Sequence, residues 1–300
     1  MTTSTLFKPM LVQTNKANQS RHHLSEDQST AFFYMSPEPR PCFNFTLLQE
    51  LRVFQQNTAQ HVRSEILTQG TSKLKYAVIA SNTPGVFNLG GDLQLFLEHI
   101  KNQDRDALLT YAVACIDIVH QMSVSMTLPI TTIALVQGSA QGGGFEAALS
   151  CNVIIAEKGT QLGFPEVLFN LFPGMGAYSF LRQRINTSLA EHIILSGKLY
   201  RAEELYELGV IDILAEPGKG DQELQDYIRH ANRRSNAHAL IRHTRNLYNE
   251  ASYNELLEIT NLWVDCAMSL GDRERKTINR LIRAQNRKMA SQSLANENSA

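Results

Sequence analysis

The sequence predicts an α/β protein with a mostly parallel sheet and a C-terminal helical region. Short β-branched runs alternate with helical stretches through the first two-thirds of the chain, and from about residue 221 the pattern is helical only. A length of 300 residues, 43% of them hydrophobic, suits one large domain, or a domain with a helical appendage, around a substantial core.

Residues 1–30 are polar, and the segment is expected to be partly disordered. Its adjacent His22 and His23 have no partner spacing for a metal and read as surface histidines. Residues 31–35 fit a first strand. Residues 45–70 carry Leu47, Leu48, Leu51 and Phe54 at helical spacing and read as an amphipathic helix. A buried strand follows at 75–81 (KYAVIAS), ended by the turn residues Asn82, Thr83, Pro84 and Gly85. A second turn-rich stretch, Phe87-Asn88-Leu89-Gly90-Gly91-Asp92, leads into a helical run from Leu93. Residues 106–126 are helical in pattern until Pro129, and 131–137 (TTIALVQ) is another buried strand. That strand runs into GSAQGGG and a helix expected to start at Phe145. Residues 152–157 (NVIIAE) are strand-like, and Phe172-Pro173-Gly174 breaks the chain before a further helix. The organisation expected is therefore a catalytic core over 31–220, a helical region over 221–288 and a disordered tail over 289–300, where MASQSLANENSA has little bulky apolar content.

Composition removes several function classes. A net charge of −1 gives no basic face for nucleic acid, and Arg233-Arg234 reads as a solvated helix face. No window approaches eighteen uninterrupted apolar residues, so no membrane span is expected, and the first residues lack the pattern of a secretory signal. A soluble, cytoplasmic protein is expected. Cys42, Cys115, Cys151 and Cys266 stand far apart with no C-x-x-C pair, which argues against zinc, redox and disulfide roles. Three of the four read as small buried hydrophobes.

Two glycine clusters point to chemistry. Gly142-Gly143-Gly144 lies between a strand and a helix, where backbone N–H groups at a helix N-terminus favour negative charge. Gly90-Gly91 ends another strand–turn unit and offers a second N–H. Two convergent donors would make an oxyanion hole, each worth roughly 3–4 kcal/mol in a transition state. Neither cluster fits G-x-G-x-x-G or a P-loop, and each alone is also consistent with a tight turn. Glu146 and Glu166 both stand in apolar surroundings after glycines, a setting that raises a carboxyl pKa and suits acid–base work. Glu146 is equally readable as a helix-terminal charge. His120 reads as a surface or satisfied core histidine.

The stretch IALVQGSAQGGGFEAALSCNVIIAEKGTQLGFPEVLFNLFPGMGA resembles the signature core of the crotonase, or enoyl-CoA hydratase, superfamily. VFNLGGDL resembles its first oxyanion loop, and LSGKLYRAEELYELGVIDIL the helix–strand segment after its active site. The ordered combination, over roughly 75–215, is specific in a way no single glycine motif is. PEVLFNLFPGMGAYSF, WVDCAMSLG and RLIRAQNRK extend the similarity over about 40–287 to the diffusible signal factor synthase branch. The first oxyanion loop departs from the commoner Ala-Gly-Ala-Asp by reading Leu-Gly-Gly-Asp, a change that keeps its backbone donors.

The resemblance implies a spiral of ββα units with a C-terminal helical region that covers the site or packs on a neighbour. It places catalytic carboxylates at Glu146 and Glu166 and oxyanion donors at Gly91 and Gly143. It implies dehydration of a 3-hydroxyacyl thioester on acyl carrier protein to the cis-2-enoyl thioester, then hydrolysis to a fatty acid signal. Glu166 would act at the α-carbon and Glu146 on the hydroxyl side. Leu89, Gly90, Gly142, Phe169, Met175 and Trp263 are expected to bind substrate, with Val167 a further tunnel candidate; for Phe169 and Val167 core packing serves equally well. No metal or redox cofactor is implied, the thioester carrier (acyl carrier protein or CoA) arriving with the substrate. A homo-oligomer, such as a trimer, and a sensor or regulator of the signal are the other implied partners. An ordinary enoyl-CoA hydratase of fatty acid degradation and a non-catalytic regulatory binding protein are the alternatives.

Overall fold

The computed structural model describes residues 18–297. The chain runs β1 (Ser20–Leu24), β2 (Thr30–Met35), α1 (Phe45–Gln69), β3 (Tyr76–Ser81), β4 (Val86–Asn88), α2 (Leu93–Lys101), α3 (Arg105–Ser123), β5 (Thr131–Val136), β6 (Ser139–Gln141), α4 (Gly143–Ser150) and β7 (Val153–Glu157). It continues through β8 (Gln161–Gly163), a 3-10 turn (Pro165–Phe169), α5 (Ala177–Arg182), α6 (Thr187–Ser196), β9 (Leu199–Arg201), α7 (Ala202–Glu207) and β10 (Ile213–Ala215). Four helices complete it: α8 (Gly220–Arg233), α9 (Ser235–Asn249), α10 (Tyr253–Met268) and α11 (Asp272–Glu297).

The strands form two sheets. The larger has six strands in the order β1-β2-β3-β5-β7-β10, parallel except where β1 meets β2. The buried runs expected at 31–35, 75–81, 131–137 and 152–157 are its β2, β3, β5 and β7. Their continuous apolar character follows from covered faces: Phe33, Ile79, Ala134 and Ile154 face one core, while Phe32, Val78, Ile133 and Ile155 face a second, closed by Leu224, Ile228 and Ala231 of α8. The smaller sheet, β4-β6-β8-β9, is built from three-residue strands that branch off where β3, β5 and β7 end. Of the long strands, β3, β5 and β7 are thus each followed by a short strand and then helical structure, and the glycine turns fall at the first two of those junctions.

Local chemistry starts the helices where they begin. The Asn44 side chain accepts from Leu47 N at 2.9 Å to cap α1, which ends at Gly70 in the left-handed region (φ 74°). Asp92 caps α2, accepting from Gln94 N at 3.0 Å, and Asp104 caps α3.

The sequence-based picture differs from the structure in four places. Ser20–Leu24, assigned to a polar segment outside the core, pairs with β2 as an edge strand; His22 and His23 lie on it and are exposed. Its SRHHL pattern has one buried position, so it lacks the alternation by which a half-buried strand is recognised. The helix expected from Phe145 begins two residues earlier, at Gly143. The tail expected to be disordered from 289 continues α11 to Glu297, and the remainder of that expectation, like the one for 1–17, lies outside the described residues. Finally, α8, the first helix of the region expected from 221, packs into the core through Leu224, Ile228 and Ala231.

Candidate active site

The ten residues singled out for the site (Leu89, Gly90, Gly91, Gly142, Gly143, Glu146, Glu166, Phe169, Met175 and Trp263) all line one cavity of about 220 Å³. Val167 is not among its walls. The glycine turns form one side, the 3-10 turn and the loop before α5 a second, and α2, α3, α10 and α11 the rest.

The two turns leave one backbone donor each. Along the first, Leu89 N donates to Pro41 O at 2.7 Å, Gly90 N to the Asn88 side chain at 2.8 Å, and Asp92 N to the Tyr111 hydroxyl at 2.9 Å. Among the described residues Gly91 N–H has no acceptor. Along the second, Gly142 N donates to Gly163 O, while Phe145 N and Glu146 N both donate to Gly142 O. Gly143 N–H, at the start of α4, is left without an acceptor among the described residues. The two free donors are neighbours, since a β-carbon built on Gly143 would lie 3.5 Å from Gly91 N. Close approach requires Gly90, whose φ is 93° and whose β-carbon would fall 2.9 Å from Gly143 N.

Glu146 comes from the first turn of α4 and is 1% exposed. Its Oε1 accepts from Met175 N at 2.7 Å and Ala177 N at 2.9 Å. Burial raises its pKa above the ordinary carboxylate range, and the two backbone donors oppose that rise. Glu166 projects from the 3-10 turn, where Pro165 fixes the first position. Its Oε2 is sealed from solvent and has no hydrogen-bond partner among the described residues. Burial, followed by the charge of Glu146, raises the Glu166 carboxyl pKa as well. Charge on one carboxyl disfavours charge on the other; two backbone donors favour the ionised form of Glu146, and Glu166 Oε2 has no such donor among the described residues.

The remaining walls are apolar. Trp263 of α10 packs against Phe96 of α2 with ring centroids 5.3 Å apart. Leu171, Ala112, Cys115 and Leu281 add to the lining, with Ala284 and Gln285 of α11 beside them. Cys42, Cys115 and Cys151 are buried free thiols and Cys266 is partly buried, as their apolar contexts suggested. His120 stands outside the cavity, edge-on to Tyr253 at 5.3 Å.

Several site residues escaped sequence reasoning. Tyr111 lies in the middle of α3, and Asn88, Asp92 and Arg40 support the first glycine turn; the Arg40 guanidinium pairs with Asp92 at 2.8 Å. Arg40 and Tyr111 are distant in sequence from the loop that they brace, so no local spacing announces them. The Asp92 position before a helical run was the one readable signal, as an N-cap.

Geometrically, a carbonyl oxygen seated on Gly91 N–H and Gly143 N–H would be polarised by both donors, with the Glu146 and Glu166 carboxyls in the same cavity. Comparison with known proteins bears on this arrangement. The model of the enoyl-CoA hydratase/isomerase family matches residues 54–276. The chain is similar to the glyoxysomal fatty acid beta-oxidation multifunctional protein MFP-a of Brassica napus, 31% identical over 143 residues, which are 48% of this chain and 19% of that protein. The chain thus spans only a small part of that relative's length. Among solved structures it resembles an enoyl-CoA hydratase from Bacillus halodurans, with TM-score 0.69 and 20% identity over 87% of this chain and 99% of that one. It also resembles human mitochondrial delta3-delta2-enoyl-CoA isomerase, with TM-score 0.70 and 15% identity over 90% of this chain and 99% of that one.

Proposed function

The chain belongs to the enoyl-CoA hydratase/isomerase family and has the crotonase fold, and from that premise we propose that it interconverts 3-hydroxyacyl and 2-enoyl thioesters. One observation carries this: Glu146 and Glu166, both with raised pKa values, line the same cavity as two backbone N–H groups with no acceptor among the described residues. The thioester carbonyl takes both donors, which stabilises the enolate formed when the α-carbon loses its proton. In dehydration Glu166 removes the α-proton and Glu146 protonates the departing 3-hydroxyl. In hydration the roles reverse: Glu166 delivers the proton to the α-carbon and Glu146 takes one from water.

The likeness of the sequence to diffusible signal factor synthases supports a finer reading, in which the dehydrating direction is used. The cis-2-enoyl thioester is then hydrolysed on the same donors, releasing a free fatty acid signal. A carrier protein as the thioester's holder is supported by α11. Arg273, Lys276, Arg280 and Arg283 are exposed at three- and four-residue spacing on that helix, and none has an ion-pair partner among the described residues. Its other side supplies Leu281 and Gln285 to the cavity wall, so an acidic carrier bound there would deliver its thioester at the cavity rim. Self-association is supported by α9, which exposes Leu240, Ile241, Leu247 and Tyr248.

A specific observation favours the hydratase as second reading. Two backbone N–H groups favour the ionised form of Glu146 and none among the described residues does so at Glu166 Oε2, and ionised Glu146 with protonated Glu166 is the state from which hydration starts. Two substrates separate the readings: 3-hydroxyacyl-acyl carrier protein and crotonyl-CoA, each given to purified protein with mass spectrometry of the products. Release of free cis-2-enoic acid from the first supports the signal synthase. Fast hydration of the second without acid release supports the hydratase, and inertness to both supports a binding protein and removes the catalytic proposal.

A further inference from the structure

A buried phenol in the cavity wall joins Asn88 and the Arg40–Asp92 pair in bracing the first glycine turn. Tyr111 is 3% exposed and reaches from α3 to the loop. Its hydroxyl donates to Phe43 O at 2.5 Å and accepts from Asp92 N at 2.9 Å. A β-carbon on Gly91 would lie 3.3 Å from the same oxygen, so the hydroxyl sits directly beside the residue with the free N–H. The Phe43 segment itself is pinned to the turn, since Phe43 N donates to Gly90 O at 2.7 Å. One oxygen thus closes a ring of backbone contacts around Gly91, and it needs a neutral phenol that donates on one side and accepts on the other. Burial supplies that condition by raising the Tyr111 pKa well above its ordinary value.

The donors on either side of Gly91 N–H are both taken. The Phe43 segment bridges Gly91 in parallel, and on that side of the turn lies Asp92 N. With Tyr111 accepting from it, and Asn88 accepting from Gly90 N, the donors on both sides of Gly91 are occupied. We infer that Tyr111 is a positioning residue for the site, fixing Gly91 N–H as the one donor that this turn presents to a substrate carbonyl. The inference rests on the thioester reading proposed above. Tyr111 touches the loop and is assigned no proton-transfer step of its own.

The substitution Tyr111→Phe keeps the ring and removes the oxygen. Two pantetheine ligands read its effect by calorimetry: a ketone analogue with methylene in place of sulfur and the carbonyl retained, and an S-alkyl thioether with no carbonyl. The parent protein is expected to prefer the ketone. Tyr111→Phe is expected to weaken the ketone about tenfold, in line with the cost of a displaced contact, and to leave the thioether unchanged. Turnover should follow the ketone, with KM for the thioester raised alongside it and kcat lowered as far as the enolate leans on the donor more than the ground state does. Equal weakening of both ligands would show a packing role only, and unchanged binding of both would show no role; either overturns the inference. A parent protein that binds ketone and thioether equally would instead overturn the thioester reading itself, and the inference with it. Circular dichroism and Tm of the variant confirm that the comparison is made on folded protein.

Discussion

Glu166 occupies the space that a side chain on Gly142 would need: a β-carbon there would lie 2.3 Å from Glu166 Oε1. Gly142 also has φ 51°, a conformation that costs other residues. Gly142→Ala should therefore displace the Glu166 carboxyl and lower turnover by about a hundredfold, with a stability loss of at least ~1 kcal/mol. Steady-state kinetics and urea melts check both, and a variant with near-normal turnover would show that Glu166 can act from another position.

Removing either carboxyl should end (de)hydration while the fold persists. Glu146→Gln and Glu166→Gln are each expected to lower kcat by about 10²–10⁴. If the thioester reading is right, both variants retain affinity for a carbonyl-bearing ligand, because the backbone donors are untouched. Substantial turnover in either variant would remove the two-acid mechanism.

The same pair makes stability depend on pH, in a direction set by its raised pKa values. The folded protein keeps protons on Glu146 and Glu166 that the unfolded chain has already released above the ordinary glutamate value of about 4.3. Stability is therefore full below that value and falls as pH rises through the two raised pKa values. Glu166→Gln should be more stable than the parent at pH 8, by on the order of 1 kcal/mol, and equal to it near pH 4. Urea melts at both pH values measure this; parallel behaviour of the two proteins would show that Glu166 is not held protonated by the fold.

Reversing charge on α11 tests the carrier. Arg280→Glu combined with Arg283→Glu should raise KM for an acyl carrier protein substrate about tenfold or more and leave KM for a small pantetheine thioester unchanged. Raising the salt concentration should reproduce the effect in the parent protein. A double variant with unaltered KM for the carrier would place docking elsewhere.

Trp263 bounds the apolar end of the cavity beside Phe96. Trp263→Ala should shift preference toward longer acyl chains, at a stability cost of about 2 kcal/mol, less than for a fully buried tryptophan. A chain-length series of thioesters reads the shift, and an unchanged preference would assign Trp263 to packing between helices alone.

Much of the fold was legible because its central strands are buried on both faces and read as unbroken β-branched runs. Glu146, Glu166 and the four glycines lie in three short stretches (87–92, 138–146 and 163–167) whose ordered resemblance to one family singled them out, and all six line the cavity. The smaller sheet was not, since the three-residue β4, β6, β8 and β9 are too short to show alternation. Tyr111, Arg40 and the α11 lining escaped because each meets the site only after the chain has folded back over tens of residues. The α4 start was misplaced by two residues because glycine favours no helix on its own; here the turn before it and the packing of Gly144 against Asn88 O impose one.

The two glycine donors that face the cavity, at 91 and 143, are main-chain atoms. Substitution of a side chain can delete Glu146 or Glu166 in one step, but only proline removes the N–H at 91 or 143 outright. On the thioester reading, the carbonyl-gripping half of the site is thus encoded by chain conformation and the acid–base half by residue identity, and the two can diverge independently. Replacing the glutamates one at a time is therefore a route by which this scaffold, with its donors intact, would be redirected to other enolate chemistry on the same class of thioester.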